Sequence, residues 1–138
     1  LPLGWKASGV RPKSVGNFVS ESIGGRNALS LELNEGQPGL LVQTTSPVGT
    51  LRAGRTYELR VNYLAAKNRK TSVKLVAATG NAEIDKLQLL PTDGQWRQTA
   101  LRFLAASDQP FHVHVLHDGK TEDGKTAIGS VEVLDVSR

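Results

Sequence analysis

The stretch Phe111-His112-Val113-His114-Val115-Leu116-His117-Asp118 holds all three histidines of this 138-residue chain. In an extended strand the side-chain period of two sets His112 and His114 on one face and turns Val113 and Val115 to the other. Two imidazoles so placed can ligate a metal, with His117 or Asp118 to complete the set. His117, however, has the opposite parity, and no second cluster of histidine and acid occurs elsewhere. The expectation is a polar strand face with no metal and no cofactor. With Val113 and Val115 turned inward, His112 and His114 line an outer face with Arg60, Asn62, Lys74, Gln98 and Arg102 from strands of matching parity. Such a surface is polar, basic and rich in planar donors, which suits hydroxyl-rich or anionic ligands. The plain alternative is a solvated sheet face.

Other chemistries are excluded or unsupported. The chain has no cysteine, so disulfides, thiolate metal sites and cysteine nucleophiles are absent. Acid–base catalysis needs paired carboxylates in a cleft, and here the acids are scattered, mostly in turns or at outward positions. Gly-x-Ser-x-Gly, Walker and His-Glu-x-x-His patterns are missing, and no catalytic residue is assigned. In Asp118-Gly119-Lys120-Thr121-Glu122-Asp123-Gly124, Lys120 stands where a calcium loop needs an oxygen ligand, so a long hairpin loop is expected. The net charge of +4 comes from 17 basic and 13 acidic residues spread along the chain. Lys67-Asn68-Arg69-Lys70 falls where a hairpin loop belongs, and nucleic acid is not indicated. No apolar run is long enough to span a membrane.

The elements that must position these residues are strands. Tyr57, Leu59, Val61 and Tyr63 alternate with Glu58, Arg60, Asn62 and Leu64, and shorter runs of the same period recur. They are Leu29-Leu31-Leu33, Leu40 to Gln43, Val73-Leu75-Ala77, Thr99-Leu101-Phe103, Phe111-Val113-Val115 and Val131-Val133. Turn residues separate them at Gly24-Gly25, Asn34-Glu35-Gly36, Pro38-Gly39, Arg52-Ala53-Gly54-Arg55, Thr79-Gly80-Asn81, Asp93-Gly94 and Asp118-Gly119. Eight to nine strands are predicted. Ala82 to Leu90 has a three-residue apolar spacing at Ile84, Leu87 and Leu90, but it is short and uncapped, and Pro91 ends it. A strand-like connection is expected there rather than a helix. Residues 1–138 are read as one all-β domain of half-buried strands, a sandwich or barrel. The absence of methionine points to a piece excised from a larger polypeptide. Trp96, Tyr57, Tyr63, Phe103 and Phe111 are placed in the core, which leaves Trp5 and Phe18 near loops as aromatic platforms.

Several pieces, in this order, resemble the jelly-roll carbohydrate-binding modules of the cellulase and xylanase accessory type, within the galactose-binding-like superfamily. They are Gly4-Trp5, Asn27-Ala28-Leu29-Ser30-Leu31-Glu32-Leu33, Leu51-Arg52-Ala53-Gly54-Arg55-Thr56-Tyr57-Glu58-Leu59-Arg60-Val61, Gly94-Gln95-Trp96-Arg97-Gln98-Thr99 leading to Phe103, and Ile128-Gly129-Ser130-Val131-Glu132-Val133. The His-x-His-x3-acid order is also similar to the first metal motif of the cupins, whose second motif is missing. In the carbohydrate-binding family an aspartate pair of the last strand helps hold calcium, and Gly129 and Ser130 stand there instead. The family's aromatic platform position in the central strand falls on Asn62. The resemblance implies an antiparallel two-sheet sandwich of jelly-roll topology, a non-catalytic module of a bacterial extracytoplasmic protein. Its ligand would be a glycan or other polar polymer gripped by Arg60, Asn62, Gln98, Arg102, His112, His114 and Trp5. The alternative is a structural, protein-interaction or sensor domain without sugar affinity.

Overall fold

A computed structural model describes residues 5–8, 16–23, 26–33, 39–66, 69–119 and 126–137, with side chains at 31, 41–66, 70–118 and 126–137. Among them there is no helix, and so none long and apolar enough to cross a membrane. The strands are β1 (Trp5–Ser8), β2 (Gly16–Ile23), β3 (Arg26–Leu33), β4 (Gly39–Thr44), β5 (Gly49–Leu51), β6 (Thr56–Leu64), β7 (Arg69–Ala77), β8 (Glu83–Leu89), β9 (Arg97–Leu104), β10 (Gln109–Gly119) and β11 (Thr126–Asp135). They form two sheets in which every pairing is antiparallel. One has the order β1-β4-β10-β7-β8, with β5 also paired to β10, and the other has the order β2-β3-β11-β6-β9. This is a β-sandwich, one of the two architectures that the alternating runs predict, and of the jelly-roll type that the family resemblance implies.

The core lies where the period of two sends it. From β6 come Tyr57, Leu59, Val61 and Tyr63, from β7 Val73 and Leu75, from β10 Phe111, Val113 and Val115, and from β4 Val42; all are buried and packed together. Apolar side chains from both inner faces interdigitate there, and their removal from water is the main favourable term in folding. Tyr57 and Phe103 stack with ring centroids 5.9 Å apart. The Tyr57 hydroxyl accepts the Arg52 N–H at 2.8 Å, which satisfies its polar end beside the turn. Gly54 at φ +80° makes that turn, in a conformation that side chains bearing a Cβ avoid.

Within Ala82 to Leu90 the strand is β8, Glu83–Leu89, and its three-residue spacing has a local cause. The register of β8 against β7 shifts between Leu75 and Val76, where Glu83 and Asp85 pair but Ile84 has no partner. Such a bulge breaks the alternation by one residue, so Ile84 and Leu87 both reach the core. A second register shift falls in β11 between Ile128 and Ser130, at Gly129. Thr79-Gly80-Asn81 and Asp93-Gly94 are turns with positive φ, as their residue types predict. Gly24-Gly25, Asn34-Glu35-Gly36, Pro38, Lys67-Asn68 and the loop from Lys120 to Lys125 lie outside the described residues.

Candidate functional site

The sequence-predicted polar residues have the right parity, but the sandwich divides them between two opposite outer faces. Arg60 and Asn62 on β6 face outward with Gln98 and Arg102 on β9, in the five-stranded sheet. His112 and His114 on β10 and Lys74 on β7 face outward on the other sheet. One surface spanning Arg60, Asn62, His112 and His114 therefore does not exist, because parity fixes in or out but not which sheet a strand joins. The structure describes the register of Trp5, opposite Thr44, and of Phe18, opposite Leu31, while their side chains lie outside the described residues.

On the five-stranded sheet, cross-strand pairing arranges the outer residues in rows across β9, β6 and β11. Arg102 lies beside Glu58 and Leu134, Ala100 beside Arg60 and Glu132, and Gln98 beside Asn62 and Ser130. Glu58 is held from two sides: its Oε2 accepts from Arg60 Nε at 2.5 Å and its Oε1 from Arg102 Nε at 3.1 Å. The two guanidiniums leave only 11% of the Glu58 side chain exposed. The Arg60 hydrogen bond, then that of Arg102, holds its carboxyl below the ordinary carboxylate range. Glu58 is thus a fixed anion that orients two cations and carries no proton to donate near neutrality. In the next row Asn62 Nδ2 donates to Ser130 Oγ at 2.7 Å. Among the described residues this is the one hydrogen bond of the Asn62 amide, and the Gln98 amide makes none. Those donors and acceptors remain for a ligand's hydroxyls.

Trp96 completes this face. Sequence reading placed it in the core, but the ring packs on Leu64 and Ala127, the outward residues at this end of β6 and β11. It lies over Gly129, where an added Cβ would sit 3.0 Å from ring atom Cζ3. The missing side chain at the β11 bulge makes the seat for the indole. Parity carried the signal: Thr99, Leu101 and Phe103 of β9 are the inward set, so Trp96 belongs with Gln98 and Arg102. The half-buried ring therefore lies over Gly129, the residue before Ser130 of the Gln98–Asn62–Ser130 row.

On the six-stranded sheet His114 is 7% exposed and His112 half-buried, with Thr44 Oγ1 and His112 Nδ1 3.1 Å apart. His117 turns the other way, into the interior, where its Nδ1 meets Thr71 Oγ1 at 2.7 Å with both residues fully buried. Among the described residues no group of three histidines or acids is placed to hold a metal ion.

The sequence matches no family model and no curated protein. Solved structures do share its shape. A cyclase from Fischerella sp. TAU, solved with 4-(1H-indol-3-yl)butan-2-one, superposes with a TM-score of 0.73 at 14% identity, over 99% of this chain and 87% of that one. A family 4 carbohydrate-binding module (CBM4) gives 0.66 at 16% identity over 97% and 96%, respectively. The module TmCBM61, in complex with β-1,4-galactotriose, gives 0.63 at 14% identity over 96% and 89%. At such identities the likeness speaks for architecture, and the architecture is the jelly-roll sandwich of carbohydrate-binding modules, the group that the sequence motifs resemble.

Proposed function

We propose that the chain is a non-catalytic glycan-binding module whose ligand lies across the outer face of the five-stranded sheet. Trp96 carries this reading. An indole held at the head of a row of amides offers a flat apolar surface to a pyranose C–H face, and Asn62, Gln98 and Ser130 take the hydroxyls beside it. Arg60 and Arg102, oriented by Glu58, extend the donor array along the strands. Modules of this fold hold β-1,4-galactotriose in TmCBM61 and occur next to a xylanase catalytic module solved with xylohexaose. Neutral β-linked polysaccharides are accordingly the ligand class. Two arginines keep Glu58 ionised, so it is not suited to serve as a general acid on this face, which accords with a non-catalytic role. A place in a larger bacterial extracytoplasmic protein accords with polysaccharide as ligand.

Titration calorimetry with soluble β-1,4-galactan and xylan tests the reading. Wild type binds one of them, Trp96→Ala weakens binding about tenfold or more, and Asn62→Ala weakens it about fivefold, the scale of one net hydrogen bond. No binding to any neutral polysaccharide would transfer the face to the other reading, a protein-interaction or spacer domain.

A further inference from the structure

We propose that the outer face of the six-stranded sheet is a second site, for acidic polysaccharide, read by the cross-strand row Gln43, His114, Lys74 and Lys86. The register places these four side by side on β4, β10, β7 and β8, and β1 adds Lys6 at the same register position. Their neighbours Val42, Val113, Val115, Val73, Leu75 and Leu87 all turn to the core, which sets the row on the outside. Lys74 and Lys86 are directly opposite each other, an arrangement of like charges that destabilises a sheet. Among the described residues neither ammonium forms an ion pair. Nearby acids are turned to other work. Asp85 Oδ1 accepts the Lys86 backbone N–H at 2.8 Å, and Glu83 pairs with Val76 farther along the strands. The row thus holds paired positive charge that an external anion would neutralise.

The occupant follows from what surrounds the ammoniums. An amide and an imidazole stand next to the two ammoniums in the row, which suits a polymer carrying both hydroxyls and carboxylates. The described side chains of this face include no Phe, Tyr or Trp on which a nucleic acid base could stack. His114, though outward, is 7% exposed, so the row is anchored on a packed imidazole rather than on free-swinging chains alone. The site is on the opposite face from Trp96 and does not rely on the neutral-glycan reading.

The test compares polygalacturonate with its fully methyl-esterified form, which keeps the backbone and loses the charge. Wild type and Trp96→Ala bind polygalacturonate alike. K74Q/K86Q, with its fold checked by circular dichroism, binds it about tenfold more weakly, since each ion pair contributes a few-fold. Binding also fades between 0.1 and 1 M salt, as the screening length falls from about 10 Å to about 3 Å. K74Q/K86Q leaves any binding of the methyl ester unchanged. The proposal is overturned if K74Q/K86Q binds polygalacturonate like wild type, or if Trp96→Ala abolishes that binding. Equally tight capture of a DNA oligonucleotide by the same lysines would overturn the polysaccharide assignment.

Discussion

Adding one methyl group at Gly129 tests how Trp96 is seated. In Gly129→Ala the new Cβ lies 3.0 Å from Trp96 Cζ3 and 3.5 Å from the Asn62 carbonyl oxygen. The second distance is ordinary contact and the first is not, so the indole must move outward by about half an ångström, which forfeits a quarter to a half of its dispersion contact. Spread over the ring's contacts with Leu64 and Ala127, the loss is about 1 kcal/mol. Gly129 is not among the glycines with positive φ, so alanine fits the backbone and restricts the unfolded chain, worth about 0.4–1 kcal/mol in the opposite direction. The two terms nearly cancel in wild type. In a Trp96→Ala background the clash is gone and Gly129→Ala becomes stabilising by about 0.4–1 kcal/mol, a rise of about 3 °C in melting temperature. Urea denaturation of the four proteins in this double-mutant cycle gives a coupling energy of about 1 kcal/mol. A coupling near zero would refute the seat of the ring on the bulge and, with it, the platform.

Two other outcomes follow from the interior and the C-terminal edge. Leu59 is fully buried at the middle of β6, so Leu59→Ala costs about 3 kcal/mol in urea denaturation through lost transfer energy and a residual cavity; a cost below about 1 kcal/mol would mean that the site collapses or is wet. The Asp135 carboxylate, held by Arg55 and then by the Ser137 N–H, has its pKa lowered from 3.8 to about 2. A depressed carboxylate pKa contributes stability above the unfolded value, lost as pH falls through the folded one, so wild type loses melting temperature between pH 4 and pH 2. Asp135→Asn loses less across that window, and parallel thermal scans of the two proteins would show it.

The parity of each strand was readable because half of its residues had to be apolar. Tyr57, Tyr63 and Phe111 are buried as that pattern requires, and Phe103 packs against them. Partnership between strands was not readable, because Arg60 and His112 carry the same in-out information whichever sheet they join. β1, β2 and β5 lack a clean apolar alternation, so their existence rests on hydrogen bonds to β4, β3 and β10 that no local pattern reports. The helix-like spacing of Ile84 and Leu87 and the seat of Trp96 share a cause, since both arise at bulges that shift register by one residue. A large aromatic is assigned to the interior by default, and at Trp96 a side-chain-free position on the neighbouring strand provides an exterior alternative.

The strand order also constrains how the chain reaches this shape during synthesis. β10 separates β4 and β5 from β7, and β11 separates β3 from β6, so each layer is completed by one of the last two strands of the domain. A nascent chain that has emerged only as far as Ala105 holds the isolated ribbons β1–β4, β2–β3, β6–β9 and β7–β8, each with an apolar side and nothing joining it to the next. Two-stranded ribbons are marginal in water and such non-local closure is slow. Truncation before β10 therefore leaves a sticky, collapsed product instead of a smaller folded one, and synthesis must pass β11 before this domain folds cooperatively.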